Sequence, residues 1–324
     1  MYFLNSHVCD FQEKRILLFS TPVLILGFRR PDNILKIIEA IRPNRPRVIF
    51  FAVDGARKGR KDDLELVIQT QLTIRSIDWS CDLKVRFRDE NLGIRKAVPD
   101  AVSWVLESNG EVIVIEDDAI PGPDLLVFMQ NQLESFKNDL NVAHVSGYNL
   151  VPPHKISAPR NLTRGSIYPE SYLWGTWARA WNLYSDNIGD HITVVRKMDL
   201  NKMEKLVWFL NFRMAHQDLI QTWAYRWMAT LWRENMKCIS PNVNLTTYVG
   251  SKDGTHTRRK SHVTELKISK IDEQLINLSR GVDLAADKWI SRKIFHASPH
   301  GLFVHAMAYI ALATIKSRRK IKQL

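Results

Sequence analysis

"VIVIEDDAIPGPD", residues 112–124, runs four apolar residues directly into three consecutive carboxylates, Glu116, Asp117 and Asp118, and then into a loop with two prolines. The unbroken apolar run fits a strand covered on both faces. Three adjacent carboxylates repel one another unless protons, hydrogen-bond donors or a cation compensate. They would either face water, favour the N-terminal dipole of the next helix, or hold something cationic. A hard divalent cation such as Mg2+ or Mn2+ takes oxygen ligands, typically one or two carboxylates together with phosphate oxygens.

The segments before this one repeat a single theme. "PVLILGF" (22–28) and "RVIFFAVD" (47–54) are continuous apolar runs, and "LKVRFRD" (83–89) alternates as a strand does. Helical spacing separates them: "ILKIIEAI" with Asp32 as its expected cap, "LELVIQTQLTI" (64–74), and "AVPDAVSWVLES" (97–108), where Pro99 is expected in a first turn. "DLLVFMQNQLESF" (124–136) follows the acidic strand as the next helix. Strand–helix alternation implies right-handed crossovers and a mostly parallel central sheet flanked by helices, an α/β fold. Ligands of such sheets bind beyond the carboxyl ends of the strands. Phe28-Arg29-Arg30, Asp54-Gly55, Asn91-Leu92-Gly93 and Glu116-Asp117-Asp118 all stand at those ends, so they are expected to converge on one edge.

The second half changes character. "YLWGTWARAWNLY" (172–184) and "HQDLIQTWAYRWMATLWREN" (216–235) are rich in tryptophan and arginine. Tryptophans 174, 177, 181, 223, 227 and 232 recur at spacings that more often signal a packed core, with one or two expected to line a ligand. The expected organisation is an α/β half over 20–140, a second half of the same domain over 141–300, and a basic C-terminal helix over 301–324. That tail, "GLFVHAMAYIALATIKSRRKIKQL", is apolar at first and basic at the end, and too short to span a bilayer. Two readings stand: a helix resting on an anionic membrane surface, or one docked on the domain with a solvated basic end.

Composition bounds the remainder. The 324 residues allow one large α/β domain or two small ones, and 45% hydrophobic content supports a substantial core. The net charge of +12 favours an anionic partner: nucleic acid, an anionic membrane surface or a phosphorylated substrate. Cys9, Cys81 and Cys238 form neither a disulfide framework nor a zinc pattern, so a reducing compartment is expected. No basic region precedes a long apolar core at the start, and no internal repeat is present. The expected location is cytoplasmic, peripheral at the inner face of the membrane.

In this order the motifs resemble nucleotide-sugar glycosyltransferases of the GT-A fold, of the N-acetylglucosaminyltransferase I type and related bacterial sugar transferases. "TPVLILGFRRPDNILKIIEAI" is similar to that group's first strand and helix, "EDDAIPGPDLLVFM" to its acidic motif, and "HVSGYN" (144–149) to the strand that follows. "DLIQTWAYRW" (218–227) and "PNVNLTTYVGSKDGTHT" resemble its later segments. Thr222 stands where serine is common, and Phe128 is what remains of an expected aromatic pair.

The resemblance implies a metal-dependent hexosyl- or N-acetylhexosaminyl-transferase. It would move a sugar from a nucleotide-sugar donor, a UDP-sugar by expectation, to a glycan or lipid-linked glycan acceptor, for polysaccharide biosynthesis and with inversion. Asp118 would hold Mn2+ or Mg2+, with His256 of "GTHT" able to join the metal or a phosphate. Phe28, Arg29, Asp54, Asn91, Gly93, Glu116 and Asp117 would serve the donor, Asp54 by hydrogen-bonding uracil. Asp54 and Gly93 would equally serve as plain turn residues. Asp218, on a helix-like segment between tryptophans, would be the catalytic base. The rival is a nucleic-acid or anionic-surface binding protein without catalytic activity. Its basic residues are dispersed, however, and no helix-turn-helix, finger or RNP-type motif appears, so no nucleic acid is expected. A sugar nucleotidyltransferase would place a Gly-rich phosphate loop after the first strand, and "GFRRPDN" is not one.

Overall fold

The computed structural model describes residues 19–250, 267–271 and 278–321. The first half alternates as expected: β1 (Val23–Gly27), α1 (Pro31–Ile41), β2 (Val48–Val53), α2 (Lys61–Leu72), β3 (Asp82–Phe87), α3 (Ile94–Leu106) and β4 (Glu111–Glu116). Then come β5 (Ala119–Pro121), α4 (Leu125–Phe136), β6 (Val142–Ser146), β7 (Thr163–Ser166), β8 (Leu173–Trp177), α5 (Ala178–Trp181) and α6 (His191–Lys197). The chain continues through α7 (Lys202–His216), α8 (Ala224–Arg233), β9 (Lys237–Pro241), β10 (Thr246–Tyr248), β11 (Leu278–Val282), α9 (Leu284–Lys293) and α10 (Pro299–Ile321).

One sheet takes the order β11-β7-β9-β6-β8-β4-β1-β2-β3. Strands β3, β2, β1 and β4 are mutually parallel. β8 joins β4 antiparallel, and β6 is antiparallel to β8 in turn, so β6 and its parallel neighbour β9 point the same way as β1–β4. The carboxyl ends of these six strands therefore share one edge. Strands from both sides of residue 140 belong to this sheet. β5 and β10 pair antiparallel as a separate ribbon above the acidic loop.

The apolar runs are continuous because alternate residues feed two cores. Leu24, Phe50, Ala52, Val112 and Val114 pack on the face that carries α3, α8 and most of the tryptophans, Trp177 lying on the other. Val23, Ile25, Ile49, Phe51, Val53, Ile113 and Ile115 pack on the opposite face against α1 and α4. Each such side chain, fully buried, contributes about 1.5–3 kcal/mol, which explains why so short a strand as β1 holds the sheet centre.

Three local expectations need correction. α1 starts at Pro31, with Arg30 at the cap position and no side-chain cap; Asp32 is an acid of the first turn. Proline at the first helical position has no N–H to satisfy and a suitable φ, so it starts the helix unaided. α3 starts at Ile94, so Pro99 lies inside the helix and not in its first turn, where it removes one ladder hydrogen bond. The helix-like stretch at 216–235 is a turn followed by α8, which begins only at Ala224.

Candidate functional site

Asp54 ends β2 and is nearly saturated by its own neighbourhood. Its Oδ1 accepts from the backbone N–H groups of Gly55 (3.1 Å) and Leu92 (2.9 Å). Its Oδ2 accepts from the Gly93 N–H (2.9 Å) and from Asn91 Nδ2 (3.0 Å). Asn91 Nδ2 also donates to the Gly55 carbonyl at 2.9 Å. A carboxylate has roughly four lone-pair sites, so a nucleobase donor would have to displace one of these four. The buried Asp54 thus ties the 91–93 loop to the end of β2. Gly55 is required by close approach: a Cβ there would lie 2.5 Å from the Glu90 backbone. Gly93 adopts φ +73°, a conformation that favours glycine, and leads into α3.

The acidic triplet is drawn inward. Asp117 forms an ion pair with Arg30 (2.5 Å), and Asn33 Nδ2 donates to the Asp117 carbonyl at 2.9 Å. Both partners come from the loop and first turn after β1. Burial works against the Arg30 charge, but Asp117 and Asp118 outweigh it and raise its proton affinity. Glu116 Oε1 and Asp118 Oδ1 are buried without a well-formed hydrogen bond, the Trp174 indole N–H being the donor that faces Glu116. Burial, then the charge of Asp117, pushes Asp118 up to about 7. Burial, then Asp118 and Asp117, raises Glu116 as well. Burial also raises Asp117, against the pull of Arg30. Buried acceptors are nearly always satisfied, so two orphaned carboxylate oxygens in one cluster call for a compensating group.

The loop after β10 closes over this cluster. The Val249 N–H donates to the Asp118 carbonyl at 2.8 Å. A Cβ on Gly250 would lie 2.9 Å from Asp118 Cβ and 2.7 Å from the Tyr248 hydroxyl. Tyr172 packs edge-on against Tyr248 (4.8 Å between ring centroids) and Tyr148 (5.4 Å). Burial raises the Tyr148 and Tyr172 hydroxyls, and the nearby Asp118 charge adds to it. A ring of tyrosine therefore borders the carboxylates, on ends of β6, β8 and β10.

Arg29 turns the other way. Its NH1 lies 2.9 Å from the fully buried carboxylate of Asp63 in α2. Arg57 shares that carboxylate through Nε (2.5 Å) and NH2 (2.8 Å), and its hydrogen bond is the main reason Asp63 falls to about 2, against the burial that opposes it. The Arg57 guanidinium stands 5.7 Å from the centre of the half-buried Phe28 ring. Of the two adjacent arginines, then, Arg30 meets the acidic cluster and Arg29 meets α2.

Asp218 lies in the turn between α7 and α8 with φ +55° and is 42% exposed. This corrects the expectation of a helical residue between tryptophans: Leu219 N–H bonds back to the Met214 carbonyl, and the chain leaves the helix through a left-handed conformation that aspartate tolerates. Its Oδ1 receives both Arg95 NH1 and Arg226 NH2 (3.0 Å). The same two guanidiniums bind Asp186, at 2.6 Å and 2.9 Å. Arg95 is in the first turn of α3, just past Gly93, so this four-membered network brings Asp218 to the same edge of the sheet as the 91–93 loop. His256 lies outside the described residues.

All six tryptophans are buried, which corrects the expectation that one or two line a ligand. Trp174 stacks on Trp223 at 4.9 Å and on His144 at 5.4 Å. Trp227 Nε1 donates to His144 Nδ1 (3.3 Å), so the other ring nitrogen, Nε2, carries the proton shared with the Glu170 carbonyl (3.1 Å). Burial drops His144 to about 3 and keeps it neutral. Glu170 itself is buried with both oxygens unsatisfied; its nearest cation, Arg164 NH2, is 3.9 Å away. Burial pushes Glu170 up to about 7. Arg30 stands among the strand-end residues expected to converge, without a role assigned to it, and Glu170 is not singled out by the sequence. Arg30 had a signal, its place before Pro31; Glu170 had none.

No protein-family model and no curated protein matches this chain. Solved structures similar to it include the following three. A Bacillus anthracis protein assigned as a glucose-1-phosphate thymidylyltransferase, in complex with sucrose, is 12% identical over 81% of this chain and 99% of its own, with a TM-score of 0.38. UDP-glucose pyrophosphorylase complexed with UDP-glucose is 10% identical over 68% of this chain and 90% of its own, at 0.37. Glucosyl-3-phosphoglycerate synthase from Mycobacterium tuberculosis, with Mn2+, UDP and phosphoglyceric acid, is 16% identical over 52% of this chain and 58% of its own, at 0.30. At these values the likenesses decide no activity for this chain.

Proposed function

We propose that this chain is a metal-assisted glycosyltransferase that takes a sugar from a UDP-sugar donor and passes it, with inversion, to a glycan or lipid-linked glycan. The observation that carries the reading is the pair of buried, unsatisfied carboxylate oxygens on Glu116 and Asp118, at the carboxyl edge of a mostly parallel sheet. Among the described residues, no three His, Cys, Asp or Glu side chains form a metal cage. Mn2+ or Mg2+ is commonly held by one or two carboxylates and completed by substrate phosphates. Asp118 would be the protein ligand, with His256 a second candidate, and the bound ion would neutralise charge on the departing diphosphate.

The chain's own residues supply the rest. Asp54 holds the Asn91–Gly93 loop in the shape that borders the donor, and Phe28 flanks the nucleotide from the end of β1, while Arg29, paired with Asp63, braces that strand end against α2. Arg30 pairs with Asp117, leaving Asp118, whose Oδ1 is buried without a hydrogen bond, as the carboxylate a cation would meet. Glu116, at the end of β4, would add a second carboxylate beside that of Asp118. Asp218 acts as base: Arg95 and Arg226 grip Oδ1, so Oδ2 is the oxygen an acceptor hydroxyl would meet. The hydroxyl proton passes to Asp218 as its oxygen bonds to the anomeric carbon. The bond from that carbon to the diphosphate oxygen breaks on the opposite side, and the nucleoside diphosphate leaves. Asp218→Asn is expected to keep donor binding and to lower transfer by roughly two to four orders of magnitude. Turnover at saturating donor, with the product's anomeric configuration read by NMR, tests this. Near-normal turnover removes Asp218 from the mechanism, and a retained configuration removes the one-step displacement.

A further inference from the structure

α10 is apolar on both of its long faces, and only one is covered. The covered face docks on α7: Arg213 Nε donates to the Tyr309 hydroxyl at 2.9 Å, and Lys316 Nζ donates to the Gln217 carbonyl at 2.6 Å. The outward face carries Phe303, Val304, Met307, Ile310 and Ile315, each 48 to 64% exposed. At 100° per residue these five fall within one side of the helix, together with Ala311, Thr314 and Arg318. A solvent-facing stripe on a docked helix is ordinarily polar, so five large apolar side chains in a row mark an interaction surface.

We infer that this outward face of α10 seats the protein on an anionic lipid surface. Charge selects that occupant over a second copy of the chain. The stripe ends in exposed Arg318, the sequence continues with Arg319, Lys320 and Lys322, and the whole chain carries +12. Two copies would bring these like charges together, whereas an anionic bilayer takes both the apolar side chains and the basic end. No described helix is long and apolar enough to cross a membrane, so the helix lies along the surface. Its basic end is also positioned: Lys316 grips Gln217, the residue before Asp218. Because Lys316 lies on the face of α10 opposite the lipid, the turn that carries Asp218 would stand one helix diameter, roughly 10 Å, from the surface; its use for a lipid-held acceptor rests on the glycosyltransferase reading, while the lipid contact does not.

The test uses the full chain and co-sedimentation with vesicles of phosphatidylcholine alone or with phosphatidylglycerol added. The wild type is expected to bind the anionic vesicles and to lose that binding in high salt. The triple variant Phe303→Ser, Met307→Ser, Ile310→Ser is expected to bind at least tenfold more weakly, with an unchanged circular dichroism spectrum, because those side chains face outward. Arg318→Glu, Arg319→Glu, Lys320→Glu is expected to weaken binding to a similar degree. Unchanged vesicle binding in the serine variant overturns the inference. So does a wild type that ignores vesicles but forms a dimer in sedimentation equilibrium that the serine variant breaks. Binding of UDP, measured on the same variants, is expected to stay at the wild-type level, which separates failure of this surface from failure of the proposed donor site.

Discussion

Asp54→Asn is nearly isosteric, yet the hydrogen bonds around Asp54 make it costly. The four donors converge on two oxygens, two on each. An asparagine keeps one acceptor oxygen and presents an NH2 group to the other pair. If the NH2 takes the Oδ2 position, it faces the Gly93 N–H and Asn91 Nδ2. Asn91 can turn its own amide to accept, but then gives up its bond to the Gly55 carbonyl. The Gly93 N–H has no such escape. If the NH2 takes the Oδ1 position, it faces two backbone N–H groups, Gly55 and Leu92. Either way at least one donor is stranded and the charge that strengthened the others is gone. Hydrogen bonds to charged groups are worth about 1.5–3 kcal/mol and a stranded buried donor costs about 1–3 kcal/mol, so the loss is expected at about 2–4 kcal/mol. Urea denaturation at constant slope measures it. The same variant should release the 91–93 loop, and with it Arg95, and so weaken UDP binding as well. A loss below about 0.5 kcal/mol, the size of an ordinary surface substitution, would refute the staple.

Two further outcomes follow from the same geometry. Glu170 keeps its proton to about pH 7 when folded, whereas an unfolded glutamate releases it near roughly 4.3. The folded chain then binds more protons across that window, so its stability falls as pH rises from about 4 to about 7 and levels off above. Glu170→Gln should remove up to about 3 kcal/mol of that fall, read as urea midpoints at pH 5 and pH 8; an unaltered slope would exclude Glu170 as its source. Gly250→Ala forces its new methyl against Asp118 Cβ, so it should cost about 1–3 kcal/mol and impair cation-dependent nucleotide binding. Calorimetry matching the wild type would show that the approach of this loop to Asp118 has no role.

The central strands were legible because β1, β2 and β4 are buried on both faces and so spell continuous apolar runs ended by polar residues. Their shared carboxyl edge follows from parallel pairing alone, which is why Asp54, Asn91 and Glu116–Asp118 group together in the sequence itself. The choice between Arg29 and Arg30 was not legible. Both stand at the strand end, and which one turns inward depends on where α1 starts and on Asp63, an α2 residue thirty or so positions away. Asp218 read as helical because "QDLIQTW" contains no glycine or proline; the break is made by a left-handed aspartate and by contacts to Arg95 and Arg226. The tryptophans at helical spacing could not show how completely they would bury one another. β5 and β10 are three residues each, too short to leave a periodic signal, yet they bring Gly250 onto Asp118.

The measurement that bears most directly on the central claim is titration calorimetry of UDP into the wild type and into Asp118→Ala, each with and without Mn2+. The account predicts binding by the wild type that strengthens at least tenfold when Mn2+ is added, and a variant that folds normally and shows no Mn2+ dependence. Equal Mn2+ enhancement in the two proteins, or no binding of UDP by the wild type under either condition, would contradict it.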